Sequence, residues 1–315
     1  MKIVFAGTPE VAVPTLDALV EAGHEVLGVV TRPDAPAGRG KKLTASPVAV
    51  RAQELGLEVV KPQHPRDEDF VGWLTAKQPE ACPVVAYGAL VPEHVLAIPT
   101  HGWVNLHFSL LPAWRGAAPV QRSIMAGESL TGATTFRLVP ELDAGPVYGS
   151  ITEPIGELDT SADLLARLAG RGAGLMVDTL ASIASGAQPQ PQPAEGISLA
   201  PKITVAETRI DWSQPAQQIA AMVRGAHPSP GAWTTLEGQR FKVSLARVAS
   251  LPDAVDVLRP GQLHATKRQL LVGTGDHPLE LLQVQAFGKK QMAGADWARG
   301  VHQLPEAFDT DGAQA

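Results

Sequence analysis

The sequence predicts an α/β protein: a doubly wound, mainly parallel sheet formed by most of the chain, followed by a second, smaller β-barrel domain. Three observations predict it. Short apolar runs alternate with amphipathic stretches up to about Ser185, a proline–glutamine run interrupts them at Gln188–Pro193, and short strand-like runs separated by glycine turns follow. At 315 residues the chain exceeds the usual size of one domain, which agrees with one large and one small core.

Residues 2 to 6 form an apolar run ending in Gly7-Thr8-Pro9, an amphipathic stretch spans 11 to 22, and a second apolar run spans 26 to 30. This reads as strand, helix, strand. The alternation continues with a helix over 46–55 and strands over 81–87 and 103–108, so a parallel sheet with helices on both faces is expected. Further strands are expected over 133–139 and 147–153, then a long helix over 161–185 with Ser161 as its N-cap. The alternating glutamines and prolines of 188–193 favour extended backbone and resist helix or sheet pairing, and mark the start of a linker. After Asp211-Trp212 come a helix over 215–224 and strands around Ala232, Phe241, Gln262 and Leu279, as in a small barrel. The expected division is therefore a first domain over 1–188, a linker over 189–208 and a second domain over 209–315, with a frayed tail beyond Pro305.

Hydrophobic residues at 44% and charged residues at 18% describe a folded protein rather than a disordered one. Cys82 is the only cysteine, which excludes an intrachain disulfide and a cysteine-type zinc cluster and suggests a reducing compartment. No apolar run is long enough for a signal peptide or a membrane span, so a cytoplasmic location is expected, without membrane partners. The net charge of −6 argues against bulk attraction to nucleic acid, but its distribution is uneven. Through residue 208 there are 15 basic against 22 acidic residues, whereas 209–294 holds 10 against 6, which permits a local nucleic-acid face.

The strongest local signal is Asn105-Leu106-His107-Phe108-Ser109-Leu110-Leu111-Pro112. Side chains alternate along a strand, so Asn105 and His107 share one face, and at the carboxyl end of a parallel strand both sit at the mouth of a ligand cleft. Taken alone, the pair reads more readily as hydrogen-bonded structural residues. Asp143 shifts the balance: it lies in Pro140-Glu141-Leu142-Asp143-Ala144-Gly145-Pro146, a loop after a strand, from which a carboxylate could reach the same mouth. Ser109 is no candidate nucleophile, because it lacks a Gly-x-Ser-x-Gly elbow. Gly7-Thr8-Pro9 lacks the glycine pattern of a dinucleotide site and there is no P-loop, so neither NAD nor ATP is expected. The remaining histidines show no metal-ligand spacing, and no metal is expected.

With Asn105, His107 and Asp143 in place, the sequence resembles the methionyl-tRNA formyltransferases and, more broadly, the folate-dependent formyltransferases and hydrolases. The resemblance runs through Phe5-Ala6-Gly7-Thr8-Pro9, Pro36-Ala37-Gly38-Arg39-Gly40-Lys41-Lys42, Ala86-Tyr87-Gly88, Ser109-Leu110-Leu111-Pro112, Trp114-Arg115-Gly116-Ala117-Ala118-Pro119-Val120-Gln121, Arg209-Ile210-Asp211-Trp212 and Gly288-Lys289-Lys290. It departs at Phe108, where a small residue is common, and at Cys82, where an acidic one is frequent.

The resemblance implies a Rossmann-like formyltransferase domain and an OB-like barrel that binds tRNA. It implies transfer of the formyl group of 10-formyltetrahydrofolate to the amino group of initiator methionyl-tRNA; apart from the resemblance, a monomer is assumed. Asn105, His107 and Asp143 would be catalytic, with a protonated His107 held in that form by Asp143. The folate would meet Tyr87, Gly88, Leu90, Ser109, Leu110, Leu111, Pro112 and Leu138, with Leu90 and Leu111 as apolar walls. The tRNA would meet Arg39, Lys41 and Lys42 in the loop after Thr31, and Lys202, Lys267 and Lys289 farther along. Trp212 and Trp233 are read as core rather than as platforms for bases. Rival readings keep the same three residues but use a sugar or nucleotide amine, or water, as acceptor; a noncatalytic tRNA-binding module is a further one.

Overall fold

The first apolar run forms β1 (Lys2–Gly7), whose Ile3, Val4, Phe5 and Ala6 are fully buried, as expected for a strand covered on both faces. The computed structural model describes residues 1–37, 42–251 and 257–309. After β1 the chain runs through α1 (Val13–Glu21), β2 (Glu25–Val30), β3 (Ala35–Ala37), β4 (Lys42–Thr44), α2 (Pro47–Glu54), β5 (Val59–Val60), α3 (Glu68–Lys77), β6 (Cys82–Val85), α4 (Glu93–Leu96), β7 (Trp103–His107), β8 (Arg115–Gly116) and α5 (Pro119–Met125). It continues through β9 (Leu130–Arg137), β10 (Val147–Pro154), α6 (Ser161–Ala184), β11 (Leu199–Ala200), α7 (Ala216–Ala226), β12 (Ala232–Leu236), β13 (Gln239–Val248), β14 (Leu263–Ala265), β15 (Leu270–Val272), β16 (Leu279–Gln285), β17 (Met292–Ala293) and α8 (Gly294–Gly300). These elements form two compact units. The first comprises the described residues of Met1–Gly116, with Thr131–Glu153 and Leu165–Leu199; the second comprises Ala117–Leu130, Pro154–Leu164 and the described residues from Ala200 onward.

In the first unit the sheet order is β10-β9-β7-β6-β1-β2-β5. β1 pairs in parallel with both β2 and β6, β2 with β5, and β6 with β7, whereas β9 runs antiparallel to β7. The doubly wound, mainly parallel sheet is therefore present. Its order reverses between β1 and β6, the place where such sheets open a crevice beyond the strands' carboxyl ends. There the Thr8 hydroxyl donates to the Tyr87 carbonyl at 2.8 Å and ties the two strand exits together. Val4, Val30, Phe70, Leu74, Cys82, Val84 and Trp103 pack into one core on this sheet. Burial pushes the Cys82 thiol well above its ordinary range.

Two local expectations change. The glutamine–proline run is not unpaired: Gln190 donates its N–H to the Val147 carbonyl at 2.8 Å and accepts from the Val147 N–H at 2.7 Å, in an isolated bridge to β10. Proline removes the donors on either side of Gln190 but leaves its own donor and acceptor for an edge strand. The cap of α6 is Thr160 rather than Ser161. Thr160 Oγ1 accepts from the Asp163 N–H at 3.3 Å, and Asp163 Oδ2 accepts from the Thr160 N–H at 3.0 Å, a reciprocal capping box. Ser161 begins the helix and donates its hydroxyl to the His227 carbonyl.

The second unit holds an antiparallel sheet of order β12-β13-β16-β15-β14, with β17 on β16. The strand order ends at β12 and β14, but residues 306–309, expected as a frayed tail, bond to both ends. The Leu263 N–H donates to the Glu306 carbonyl at 2.8 Å, the Phe308 N–H to the Gly261 carbonyl at 2.9 Å, and the Asp309 N–H to the Thr235 carbonyl at 3.0 Å. The sheet thus curls round as a half-barrel with Phe308 buried inside it. Its core is aromatic: Trp212 stacks on Phe308 at 5.2 Å, and Phe241 meets Trp297 at 4.9 Å and Phe308 at 5.1 Å. The apolar stripe of α7, Ile219, Ala220, Val223 and Ala226, is buried in the same core. Pro215 precedes α7 without a capping side chain, and Asp276 instead accepts from the Ala216 N–H at 2.8 Å. Trp212 is core as expected. Trp233 is not: it is half-buried, with the Arg240 guanidinium 4.3 Å and the Arg209 guanidinium 5.5 Å from its ring centre. Among the described residues, no helix is long and apolar enough to cross a membrane.

Candidate active site

β7 lies between parallel β6 and antiparallel β9, with Asn105 beside Val84 and Phe136 and His107 beside Thr134. Two residues apart on one strand, Asn105 and His107 present their side chains to the same face, about 7 Å apart along it. Asn105 is half-buried, and its amide makes no hydrogen bond among the described residues. His107 is 6% exposed, with the ring of Phe136 edge-on at 6.4 Å.

The segment after β7 is tied back to β9. The Thr134 hydroxyl donates to the Ser109 carbonyl at 2.7 Å and accepts from the Leu111 N–H at 3.2 Å, while the Ser109 hydroxyl donates to the Ala113 carbonyl at 2.6 Å. Ser109 thus shapes the turn. Trp114 follows with φ of +61°, and its carbonyl accepts from His107 Nε2 at 2.9 Å. A carbonyl only accepts, so Nε2 carries the proton, and the neutral ring turns its Nδ1 lone pair the other way.

Asp143 stands on that other side, its Oδ2 3.8 Å from His107 Nδ1. The same Oδ2 accepts from the Gly116 N–H at 2.8 Å. Asp143 has φ of +46°, a left-handed conformation that costs a non-glycine residue roughly 1–3 kcal/mol unless its surroundings hold it. Gly145 is required nearby, because a Cβ there would fall 1.7 Å from the Arg137 carbonyl oxygen. The loop that delivers the carboxylate is therefore closed tightly over the end of β9.

Burial pulls the His107 imidazole below its ordinary value of 6.5, against the opposing pull of Asp143 and of the hydrogen bond to Trp114. Burial thus works against the expected hold of Asp143 on a protonated ring. At 3.8 Å the carboxylate is beyond hydrogen-bond reach and does not offset the desolvation of a buried ring. In the neutral ring Nδ1 is the unprotonated nitrogen, on the side of Asp143.

One residue of this network has no counterpart in the sequence reading. Gln192 donates through Nε2 to the carbonyls of Asp143 at 2.7 Å and Gly145 at 2.8 Å, and its Oε1 accepts from Arg115 Nη2 at 2.6 Å and Nε at 3.1 Å. It stands in the glutamine–proline run. The available signal was the alternation itself, which gives Gln190 and Gln192 one side of an extended segment and leaves the other to proline.

The expected folate residues divide. Ser109, Leu110, Leu111 and Pro112 surround the carboxyl end of β7, and Leu138 follows β9, its N–H donating to the Trp103 carbonyl at 2.8 Å. The Tyr87 ring lies in the core of the first unit and its carbonyl is taken by the Thr8 hydroxyl; Gly88 is exposed. Leu90, expected as an apolar wall, is 84% exposed and borders open solvent. Of the expected tRNA residues, Lys42, Lys202, Lys267 and Lys289 are all exposed, and Arg39 and Lys41 lie outside the described residues.

The model of the family described as "Formyl transferase" matches residues 1–180, and that of "Formyl transferase, C-terminal domain" matches 202–302. A methionyl-tRNA formyltransferase of Streptomyces coelicolor is 61% identical over 302 residues, covering 95% of this chain and 96% of that protein. The chain belongs to the methionyl-tRNA formyltransferase family. The methionyl-tRNA formyltransferase of Thermobifida fusca is 58% identical over 301 residues, covering 95% of this chain and 96% of its own. Solved structures share the fold at lower identity. WlaRD, a sugar 3N-formyl transferase crystallised with dTDP and 5-N-formyl-THF, has a TM-score of 0.67 at 15% identity over 92% of this chain and 99% of its own. HypX from Aquifex aeolicus has a TM-score of 0.67 at 19% identity, covering 97% of this chain and 49% of that one. As a methionyl-tRNA formyltransferase family member, the chain has its matched amino-terminal region around the Asn105, His107 and Asp143 cluster.

Proposed function

We propose that this chain transfers the formyl group of 10-formyltetrahydrofolate to the free amino group of initiator methionyl-tRNA, and that Asn105, His107 and Asp143 perform the transfer. The observation that carries the assignment is the facing of His107 Nδ1 and Asp143 Oδ2 at 3.8 Å, at the end of the strand that also presents Asn105.

The amine attacks the formyl carbon while the Asn105 amide donates to the oxygen that becomes negative. Neutral His107 takes the proton lost by the amine at Nδ1. The imidazolium so formed lies between the Trp114 carbonyl, to which Nε2–H already donates, and the Asp143 carboxylate. It then returns the proton to the folate nitrogen as the carbon–nitrogen bond to the carrier breaks, so one proton moves from acceptor to donor and no covalent enzyme intermediate forms. The folate lies against the backbone after β6 and against Ser109, Leu110, Leu111, Pro112 and Leu138. Residues 1–188 carry this chemistry, with 189–208 as connection, and 209–315 contributes to holding tRNA. Arg39, Lys41, Lys42, Lys202, Lys267 and Lys289 contact the nucleic acid, supported by their charge and, for the lysines described, their exposure.

The deciding experiment supplies formyl-labelled 10-formyltetrahydrofolate with charged initiator tRNA, charged elongator tRNA or a nucleotide-linked amino sugar. Label is expected on the initiator methionyl-tRNA. Label on the sugar alone, or free formate without acceptor, would overturn the assignment.

A further inference from the structure

Gln192 lies outside the reach of the three reacting side chains, yet it is bonded to the loop that carries one of them. Its amide makes four contacts, two as donor to the carbonyls of Asp143 and Gly145 and two as acceptor from Arg115. Chemistry fixes the orientation of this amide. Turned over, it would set its NH2 against a guanidinium and its oxygen against two carbonyls, leaving every contact repulsive.

Arg115 is itself placed by the site. The residue before it, Trp114, accepts from His107 Nε2, and the residue after it, Gly116, donates to Asp143 Oδ2. The connections thus form a closed circuit: His107 to Trp114, along the backbone to Arg115, across to Gln192, on to the Asp143 backbone, and from the Asp143 carboxylate back towards His107 Nδ1. Gln192 supplies the link between the two loops. Its own backbone is restrained by proline on either side, and Gln190 is bridged to Val147 on β10. Asp143 needs such a hold, because its left-handed backbone is not the one an aspartate prefers.

We infer that Gln192, oriented by Arg115, is a positioning residue that fixes the Asp143 carboxylate against His107 during formyl transfer. The inference rests on the assignment of His107 and Asp143 as the reacting pair. It gives the glutamine–proline segment a part in the chemistry besides joining two regions of chain.

The test compares Gln192→Met, which keeps length without hydrogen bonds, and Gln192→Glu, which keeps the acceptor for Arg115 but loses both donors. Single-turnover formylation, folate KM, the acid limb of the pH–rate profile and the melting temperature are measured for each. Both variants are expected to lose on the order of 10- to 100-fold in the transfer rate, the usual effect of a reacting group displaced by about 1 Å. Folate KM is expected to stay within about threefold, because transition-state geometry changes while the folate contacts remain. In Gln192→Met the acid limb moves to lower pH, because His107 loses part of the support of a well-placed carboxylate. A wild-type rate, or a rate loss with an unmoved acid limb in Gln192→Met and a lowered melting temperature in both variants, overturns the inference. Asp143→Asn is run alongside. If it retains wild-type turnover, the reading of the site itself fails; if it collapses while both Gln192 variants behave as wild type, only the role of Gln192 fails.

Discussion

Replacing Asp143 by asparagine removes one charge and little else, because the new amide oxygen can still accept the Gly116 N–H that now meets Oδ2 at 2.8 Å. What is lost is the attraction between that carboxylate and the imidazolium formed as the amine gives up its proton. At the 3.8 Å separation of Oδ2 and Nδ1, and with an effective dielectric constant of about 20, Coulomb's law gives about 4 kcal/mol. If the ring is fully charged at the transition state, that corresponds to a rate loss of about 10³-fold. The loss should appear in single-turnover transfer to charged initiator tRNA at saturating 10-formyltetrahydrofolate, with folate affinity changed far less. A variant that folds normally and transfers within about tenfold of wild type would refute the electrostatic argument, since an interaction of that size cannot be absent without effect.

Four further outcomes are expected. Gly145→Ala forces a Cβ to within 1.7 Å of the Arg137 carbonyl; it should destabilise the fold by roughly 1–3 kcal/mol in denaturant titration and slow transfer. His107 has a folded pKa below its unfolded one, so its neutral burial contributes stability that is complete above about pH 6.5 and is lost as pH falls through the lower folded value. The slope of stability against pH in that acid window should be smaller in His107→Asn than in wild type, and equal slopes would contradict the buried, neutral ring. Phe241→Ala opens the aromatic core of the half-barrel and should cost about 3–5 kcal/mol, read as an earlier denaturant midpoint for that unit. Arg39→Ala should weaken tRNA binding without changing folate binding, and the affinity should fall with rising salt; an affinity indifferent to salt would remove the case for phosphate contacts.

The elements that were legible in the sequence are those with a single dominant signal. β1 announces itself as an uninterrupted apolar run because both its faces are covered, and β7 places Asn105 and His107 on one face by strand alternation alone. α3 carries a weak signal, because its apolar positions Phe70 and Leu74 are separated by Gly72 and its pattern is short. The cap of α6 is ambiguous by one residue because Thr160 and Ser161 are chemically equivalent candidates; Asp163 decides between them, three residues after Thr160. Asp143 could be found from its loop, but the state of its partner could not. Whether His107 rests charged depends on how much burial opposes a carboxylate 3.8 Å away, and both quantities exist only after folding. Gln192 was hidden for a related reason. A glutamine among prolines has the composition of a spacer, and its value lies in two carbonyls and a guanidinium that approach from distant stretches of chain.

The single cysteine also determines what can be attached to this protein. Cys82 is fully buried in β6 and its thiol holds its proton firmly, so maleimides and other soft electrophiles meet almost no thiolate there while the chain is folded. A reporter can therefore be placed by one substitution at an exposed position, such as Leu90→Cys in the first unit or Lys289→Cys in the second, without first removing the native thiol. Unfolding reverses the situation: the appearance of a second labelled site becomes a direct, time-resolved signal that the parallel sheet has opened.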